Sequence, residues 1–142
     1  MQLNYFNQPY FGNGDITKIS KVLTLNGIEK PLVCSDPGLS SIGMIDKIKD
    51  LISDEFSASF YEDTPANPTE NSVNDALMIY RNNGCDGVIG FGGGSSMDLA
   101  KAVALMANHD GNIIDYSVVE GGYRKITKTI PMIAIPTTSG TG

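Results

Sequence analysis

The chain has little of what metal, disulfide and nucleic-acid chemistry require. Its one histidine, His109, and two cysteines, Cys34 and Cys85, are scattered through 142 residues. That spacing suits neither a zinc site nor a disulfide framework. A lone histidine in Asn108-His109-Asp110-Gly111 gives no support to a Ser-His-Asp triad. Ten Lys and Arg against sixteen Asp and Glu leave a net charge of −6, the wrong sign for a surface that neutralises nucleic-acid phosphates. No apolar run approaches the ~18 residues of a bilayer span. The first seven residues also lack the charged start and apolar stretch of a secretory signal. Neither nucleic acid nor membrane is therefore expected as a partner. The two thiols read as reduced, small buried hydrophobes in a cytoplasmic protein.

What is present is a globular composition, 41% hydrophobic and 18% charged, in which strand-like and helix-like segments alternate. A short start lies near Leu3–Phe6. Ile16, Ile19 and Leu23 predict a helix opening near Asp15 and stopping at Gly27. Leu32-Val33-Cys34 is a short buried strand. Ile42, Ile45, Ile48 and Ile52 form one apolar helical stripe, and residues 57–61 are the next strand. Val73, Ala76, Leu77 and Tyr80 mark a third helix. Val88–Phe91 is a strand, followed by a helix from about Ser96 to Asn108 and a last strand over Pro131–Pro136. Such alternation predicts an α/β fold, Rossmann-like, with a mostly parallel sheet and helices on both faces. Ligands in these sheets bind beyond the carboxyl ends of the strands. The residues that follow the strands are Asp36, Asn67, Gly92–Ser95 and Thr137–Thr141, so four candidate contacts converge on one rim.

Six of the sixteen glycines fall between Gly84 and Gly94. The run Gly92-Gly93-Gly94-Ser95-Ser96 joins an apolar strand to a helical segment. Backbone without a Cβ can approach an anion closely, and a helix start supplies free N–H donors and the positive end of a dipole. This predicts a pyrophosphate held by the N–H groups of Gly93 to Ser95 and by the Ser95 hydroxyl. The plainer reading is a tight turn with a Ser cap. No Gly-Lys-Ser/Thr follows, which excludes a Walker loop.

Asp98 and Lys101 stand three apart on that helix. Asp98 either pairs with Lys101 on the surface or, turned away from a pyrophosphate by like charge, meets ribose hydroxyls or a carboxamide. Asp36 either forms a turn before Pro37 or accepts hydrogen bonds from an adenosine ribose, where its charge repels a 2′-phosphate and favours NAD over NADP. Thr137, Thr138, Ser139 and Thr141 crowd four hydroxyls into one loop. His109 is expected to be solvated at a helix C-terminus. Met97, Met106 and Met132 suit core positions.

Gly92–Lys101 together with Pro136-Thr137-Thr138-Ser139-Gly140-Thr141-Gly142 resembles the iron-containing (group III) alcohol dehydrogenase family, and Asn67-Pro68-Thr69 and Phe11-Gly12-Asn13-Gly14 match its two weaker motifs. The resemblance covers essentially the whole chain. It implies an N-terminal α/β dinucleotide-binding domain (residues 1–142, truncated at its C-terminal end) and an all-helical C-terminal domain that is absent here. It also implies NAD as cofactor and a divalent metal, iron or zinc, on one Asp and three His of the absent domain. By motif, Gly93, Gly94 and Ser95 would hold the pyrophosphate, and Thr137 and Thr138 would line the adenosine side. Thr141 would lie nearer ribose and phosphates, Asp36 at the adenosine ribose, and Asn67 and Asp98 at the nicotinamide end. Ser95 and Asp98 together favour an alcohol dehydrogenase over glycerol dehydrogenases, maleylacetate reductases and dehydroquinate synthases. The implied reaction is hydride transfer between an alcohol or aldehyde and the cofactor in a homo-oligomeric full-length enzyme. These residues would carry the cofactor half, with no catalytic or metal residue and no turnover alone. The alternatives are a non-catalytic nucleotide- or phosphate-binding module and a dehydroquinate-synthase-like lyase.

Overall fold

The computed structural model describes residues 7–52 and 54–139, so the start near Leu3–Phe6 and Thr141 lie outside the described residues. Four strands, β1 (Pro31–Cys34), β2 (Ser59–Tyr61), β3 (Gly87–Gly92) and β4 (Met132–Pro136), pair in parallel in the order β2-β1-β3-β4. Val33 stands opposite Phe60 on one side and Ile89 on the other. Every residue of β1 and β3 is buried. This is why their sequences read as unbroken apolar or glycine runs rather than as alternating ones.

Helices cover both faces. Leu32, Cys34 and Val88 pack under α4 (Glu70–Asn82) and α5 (Gly94–Met106). Val33, Ile89 and Phe91, one residue out of phase, pack under α1 (Ile19–Leu25) and α3 (Met44–Ile52). The two-residue period of a strand thus divides one apolar run between two cores. Cys34 and Cys85 are free and buried, and burial, with Cys85 nearby, pushes the Cys34 thiol up to about 12. A thiol held protonated in this way is a packing group, not a nucleophile.

Local chemistry explains most of the boundaries. Thr69 and Ser72 cap α4 reciprocally, with the Ser72 N–H donating to Thr69 Oγ1 at 3.2 Å and the Thr69 N–H to Ser72 Oγ at 2.9 Å. The α4 face Val73, Ala76, Leu77, Tyr80 is buried as its spacing predicts. Asp86 accepts from the backbone N–H groups of Glu29 and Lys30, the latter at 2.8 Å, and so ties the turn before β3 to the start of β1. Close packing of α5 on β3 depends on small residues, because a Cβ at Gly90 would lie 3.0 Å from that of Ala100.

The structure corrects four expectations. The stripe from Ile42 to Ile52 is not one helix: a short α2 (Pro37–Ser41) ends first, Gly43 turns with φ 72°, and Ile42 is left 69% exposed. A left-handed residue resets the helical phase, so only Ile45, Ile48 and Ile52 face the core. The opening near Asp15 is a 3₁₀ turn, Asp15–Lys18, that leaves Ile16 exposed before Ile19 and Leu23 turn inward. Helix α5 begins at Gly94, two residues earlier than its apolar pattern suggests. Of the methionines, Met106 is buried, while Met97 and Met132 are half-buried.

A further correction concerns His109, which is 8% exposed rather than solvated. The segment from 110 to 131 folds back over the end of α5 and encloses it. Its Nδ1 lies 2.7 Å from the Leu105 carbonyl, and the Thr127 N–H donates to Nε2 at 3.1 Å. Both bonds together require a neutral ring with its proton on Nδ1. The Tyr116 ring meets the imidazole edge-on at 5.1 Å. Replacing His109 by Ala strands the Thr127 N–H and opens a gap, while the Leu105 carbonyl keeps the Asn108 N–H. Urea unfolding should register a loss of about 1–3 kcal/mol.

Candidate functional site

The chain leaves β1 toward the α3 face and leaves β3 toward the α5 face. These neighbouring strands therefore send their loops apart, which opens a crevice at their carboxyl ends. A cavity of about 280 Å³ lies there, walled by Asp36 and Pro37 after β1, Thr64, Pro65 and Ala66 after β2, and Gly93, Ser95 and Ser96 after β3. The wall contains no Lys or Arg, so an anion in it would be held by backbone amides and the helix dipole.

Those amides are at hand. Asp36 and Thr69 cap α2 and α4 with side-chain oxygens, but Gly93 offers α5 no side-chain cap. The first-turn N–H groups of Gly94, Ser95 and Ser96 emerge beside the crevice without a side-chain acceptor. Gly94 is exposed, and no heavy atom lies within 4 Å of a Cβ built on it. Gly92 is the opposite case. Its φ is 149°, and a Cβ there would lie 2.9 Å from Ser96 Cβ and 3.0 Å from Asp36 Oδ2. The turn therefore needs glycine at 92 for its backbone and leaves space at 94.

Asp36 forms the turn expected before Pro37. Its Oδ1 accepts from the Leu39 N–H at 3.1 Å and caps α2, while Oδ2 lies along Gly92 and has no donor among the described residues. The Ser95 hydroxyl donates to the Ala66 carbonyl rather than standing free. This bond ties the glycine turn to the loop that carries Asn67, which is exposed. Thr138 approaches Gly93, its Cγ2 3.5 Å from where a Cβ of that glycine would be. Thr137, whose N–H donates to the Gly92 carbonyl at 2.9 Å, lines a second cavity of about 680 Å³. Its walls include Met44, Ile48 and Leu51 of α3 as well as Phe91 and Ile135. Asp98 pairs with Lys101 at 3.1 Å on the exposed side of α5.

The predicted residues thus divide. Asp36, Gly93 and Ser95 wall the crevice, Gly94 stands between two of them in sequence, Thr138 borders it, and Asn67 is tethered to it. Thr137 and Asp98 face elsewhere. Sequence reasoning missed Thr64 and Ser96, two wall residues whose buried hydroxyls find no partner among the described residues, as does that of neighbouring Ser35. The one available signal was Ser96's place inside the glycine–serine run. Among the described residues, no three His, Cys, Asp or Glu side chains converge to hold a metal ion.

Residues 7–142 match the family model for iron-containing alcohol dehydrogenases. The chain is 39% identical to 4-hydroxybutyrate dehydrogenase of Cupriavidus necator, over 97% of this chain and 36% of that protein. It is 36% identical to alcohol dehydrogenase 4 of Schizosaccharomyces pombe, over 92% and 31%. Among solved structures, NADH-dependent butanol dehydrogenase A of Thermotoga maritima superposes with a TM-score of 0.84 at 31% identity, over 99% of this chain and 36% of that one. Sulfoacetaldehyde reductase of Bifidobacterium kashiwanohense, solved in complex with NAD+, gives 0.80 at 29%, over 99% and 38%. The chain spans about a third of the length of the relatives it matches.

Proposed function

The chain belongs to the iron-containing alcohol dehydrogenase family, and from that premise we propose that it forms the NAD-binding part of a metal-dependent alcohol oxidoreductase. One observation carries the reading: an uncapped helix N-terminus, reached through a triple-glycine turn, opens into the crevice between β1 and β3. The N–H groups of Gly93, Gly94 and Ser95 hold the pyrophosphate there, and the free Oδ2 of Asp36 accepts from the adenosine ribose. Thr137, from the second cavity, and Thr138 line the adenosine side, and Thr141 lies nearer the ribose and phosphates. Asn67 and Asp98 border the nicotinamide end, which requires Asp98 to leave Lys101, an exposed contact of at most ~1 kcal/mol.

NAD, when bound, supplies the hydride acceptor for an alcohol carbon or, reduced, the donor to an aldehyde. The chain's own residues bind and orient it, and no proton or hydride step is assigned to any of them. The family resemblance implies iron or zinc on one Asp and three His downstream of the threonine loop, where the metal would polarise the substrate oxygen. A small alcohol or aldehyde substrate, a homo-oligomeric enzyme and a cytoplasmic setting belong to the same proposal. No helix among the described residues is long and apolar enough to cross a membrane.

Titration with NADH and NADPH tests the reading, comparing the native chain with Asp36→Asn. Asn caps a helix as well as Asp does, so the exchange removes charge and spares α2. NADH should bind the native chain more tightly, and the preference should shrink about tenfold in the variant, equivalent to ~1.4 kcal/mol. Equal affinity of the native chain for both cofactors would refute Asp36's role.

A further inference from the structure

The carboxylate of Asp36 is useful only if it is held still, and α2 cannot hold it unaided. That helix has five residues, none of them buried. Among the described residues, its one side-chain bond to another element runs from Ser40, whose hydroxyl donates to Glu62 Oε2 at 2.6 Å. Glu62 is the first residue beyond β2. Its other oxygen, Oε1, lies 3.1 Å from Lys49 Nζ of α3, and that ammonium also sits 5.1 Å from the Phe60 ring centroid. One carboxylate therefore joins α2, α3 and the edge of the sheet. The Ser40 bond, with help from Lys49, holds the Glu62 carboxyl below the usual carboxylate range, so it stays ionised near neutrality. At the other end, Asp36 is confined between two glycines, with Oδ1 2.9 Å from a Cβ built at Gly38 and Oδ2 3.0 Å from one built at Gly92. The carboxylate thus fills space that a side chain at either glycine would take, and its place depends on where α2 sits.

We propose that Glu62 is a positioning residue for cofactor choice: through Ser40 it fixes α2, and through the α2 cap it fixes the Asp36 carboxylate that rejects a 2′-phosphate. The inference rests on the NAD reading above. It adds that selectivity depends on a side chain that need not touch the cofactor.

The experiment compares NADH and NADPH dissociation constants, by fluorescence titration, for the native chain, Glu62→Ala, Glu62→Gln and Ser40→Ala. Amide hydrogen exchange at Leu39 is followed by NMR in the cofactor-free chains. Gln can still accept from Ser40 but carries no charge, so it separates tethering from simple repulsion by Glu62 itself. Glu62→Ala and Ser40→Ala should narrow the NADH preference roughly five- to tenfold, as loss of one charge-assisted hydrogen bond allows. Both should speed Leu39 exchange, and Glu62→Gln should keep most of the preference and of the protection. An unchanged preference in Glu62→Ala overturns the tether while leaving the NAD reading intact. Equal losses in Gln and Ala overturn it in favour of charge alone. A native chain that binds no NADH overturns the NAD reading and this inference with it, whereas Leu39 exchange reports on the mechanical link independently.

Discussion

Gly94→Asp should leave the fold as stable as before, or slightly more stable, while NADH binding falls about a hundredfold. Position 94 is the first residue of α5, with open space around a built Cβ. An aspartate there needs no repacking. Its charge meets the positive end of the helix dipole, a gain of about 0.3–1 kcal/mol. The same carboxylate would stand within ~5 Å of a bound pyrophosphate. At an effective dielectric of about 20, that repulsion is ~3 kcal/mol, or more than two orders of magnitude in affinity. Gly94→Asn, neutral and of similar size, should lose less than about tenfold of affinity, since the Coulomb term is gone. Calorimetric unfolding and NADH titration on the same samples decide the matter. Near-native NADH binding by Gly94→Asp would place the pyrophosphate elsewhere.

Two residues earlier, the effect lands on stability as well. Gly92→Ala forces an L side chain to φ 149° and drives its Cβ into Ser96 and Asp36. Neither neighbour can give way, because Ser96 belongs to the first turn of α5 and Asp36 caps α2. Backbone strain and overlap together should cost about 3 kcal/mol or more. For a chain of this length the melting temperature then falls by roughly 10 °C. Cofactor binding should fall too, because the turn and both of its neighbours are displaced. Gly121→Ala is the comparison: φ there is 72°, but nothing lies within 4 Å. It isolates backbone strain and should cost only about 1 kcal/mol. If the two variants melt together, crowding at Gly92 is not what shapes the turn.

Where the sequence could be read, one local rule was sufficient. The third helix was legible because Val73, Ala76, Leu77 and Tyr80 share a face whatever lies beneath them, and all four are buried. The central strands were legible because burial on both sides demands unbroken apolar or glycine runs. Where two rules competed, the reading slipped. The isoleucine period suggested one helix across Gly43, and the left-handed turn at that glycine prevailed. His109 carries polar and helix-end signals, yet the segment after it folds over it and supplies Thr127, 18 residues away in sequence. No local pattern encodes that return.

The glycine–serine run and the threonine loop, read as a line of letters, were enough to point to the family, and the alternating segments to the parallel α/β sheet; the run also marked a glycine turn into a helix start, because close backbone approach and a free helix start are properties of consecutive residues. Tertiary structure alone decided which loops share a crevice. It brought Thr64 and Ser96 to the wall beside Asp36, sent Thr137 to a second cavity, and reached from Lys49 through Glu62 and Ser40 to the α2 cap. These juxtapositions follow from strand order, and strand order is set by how distant apolar faces bury one another, a long-range outcome that no window of sequence contains.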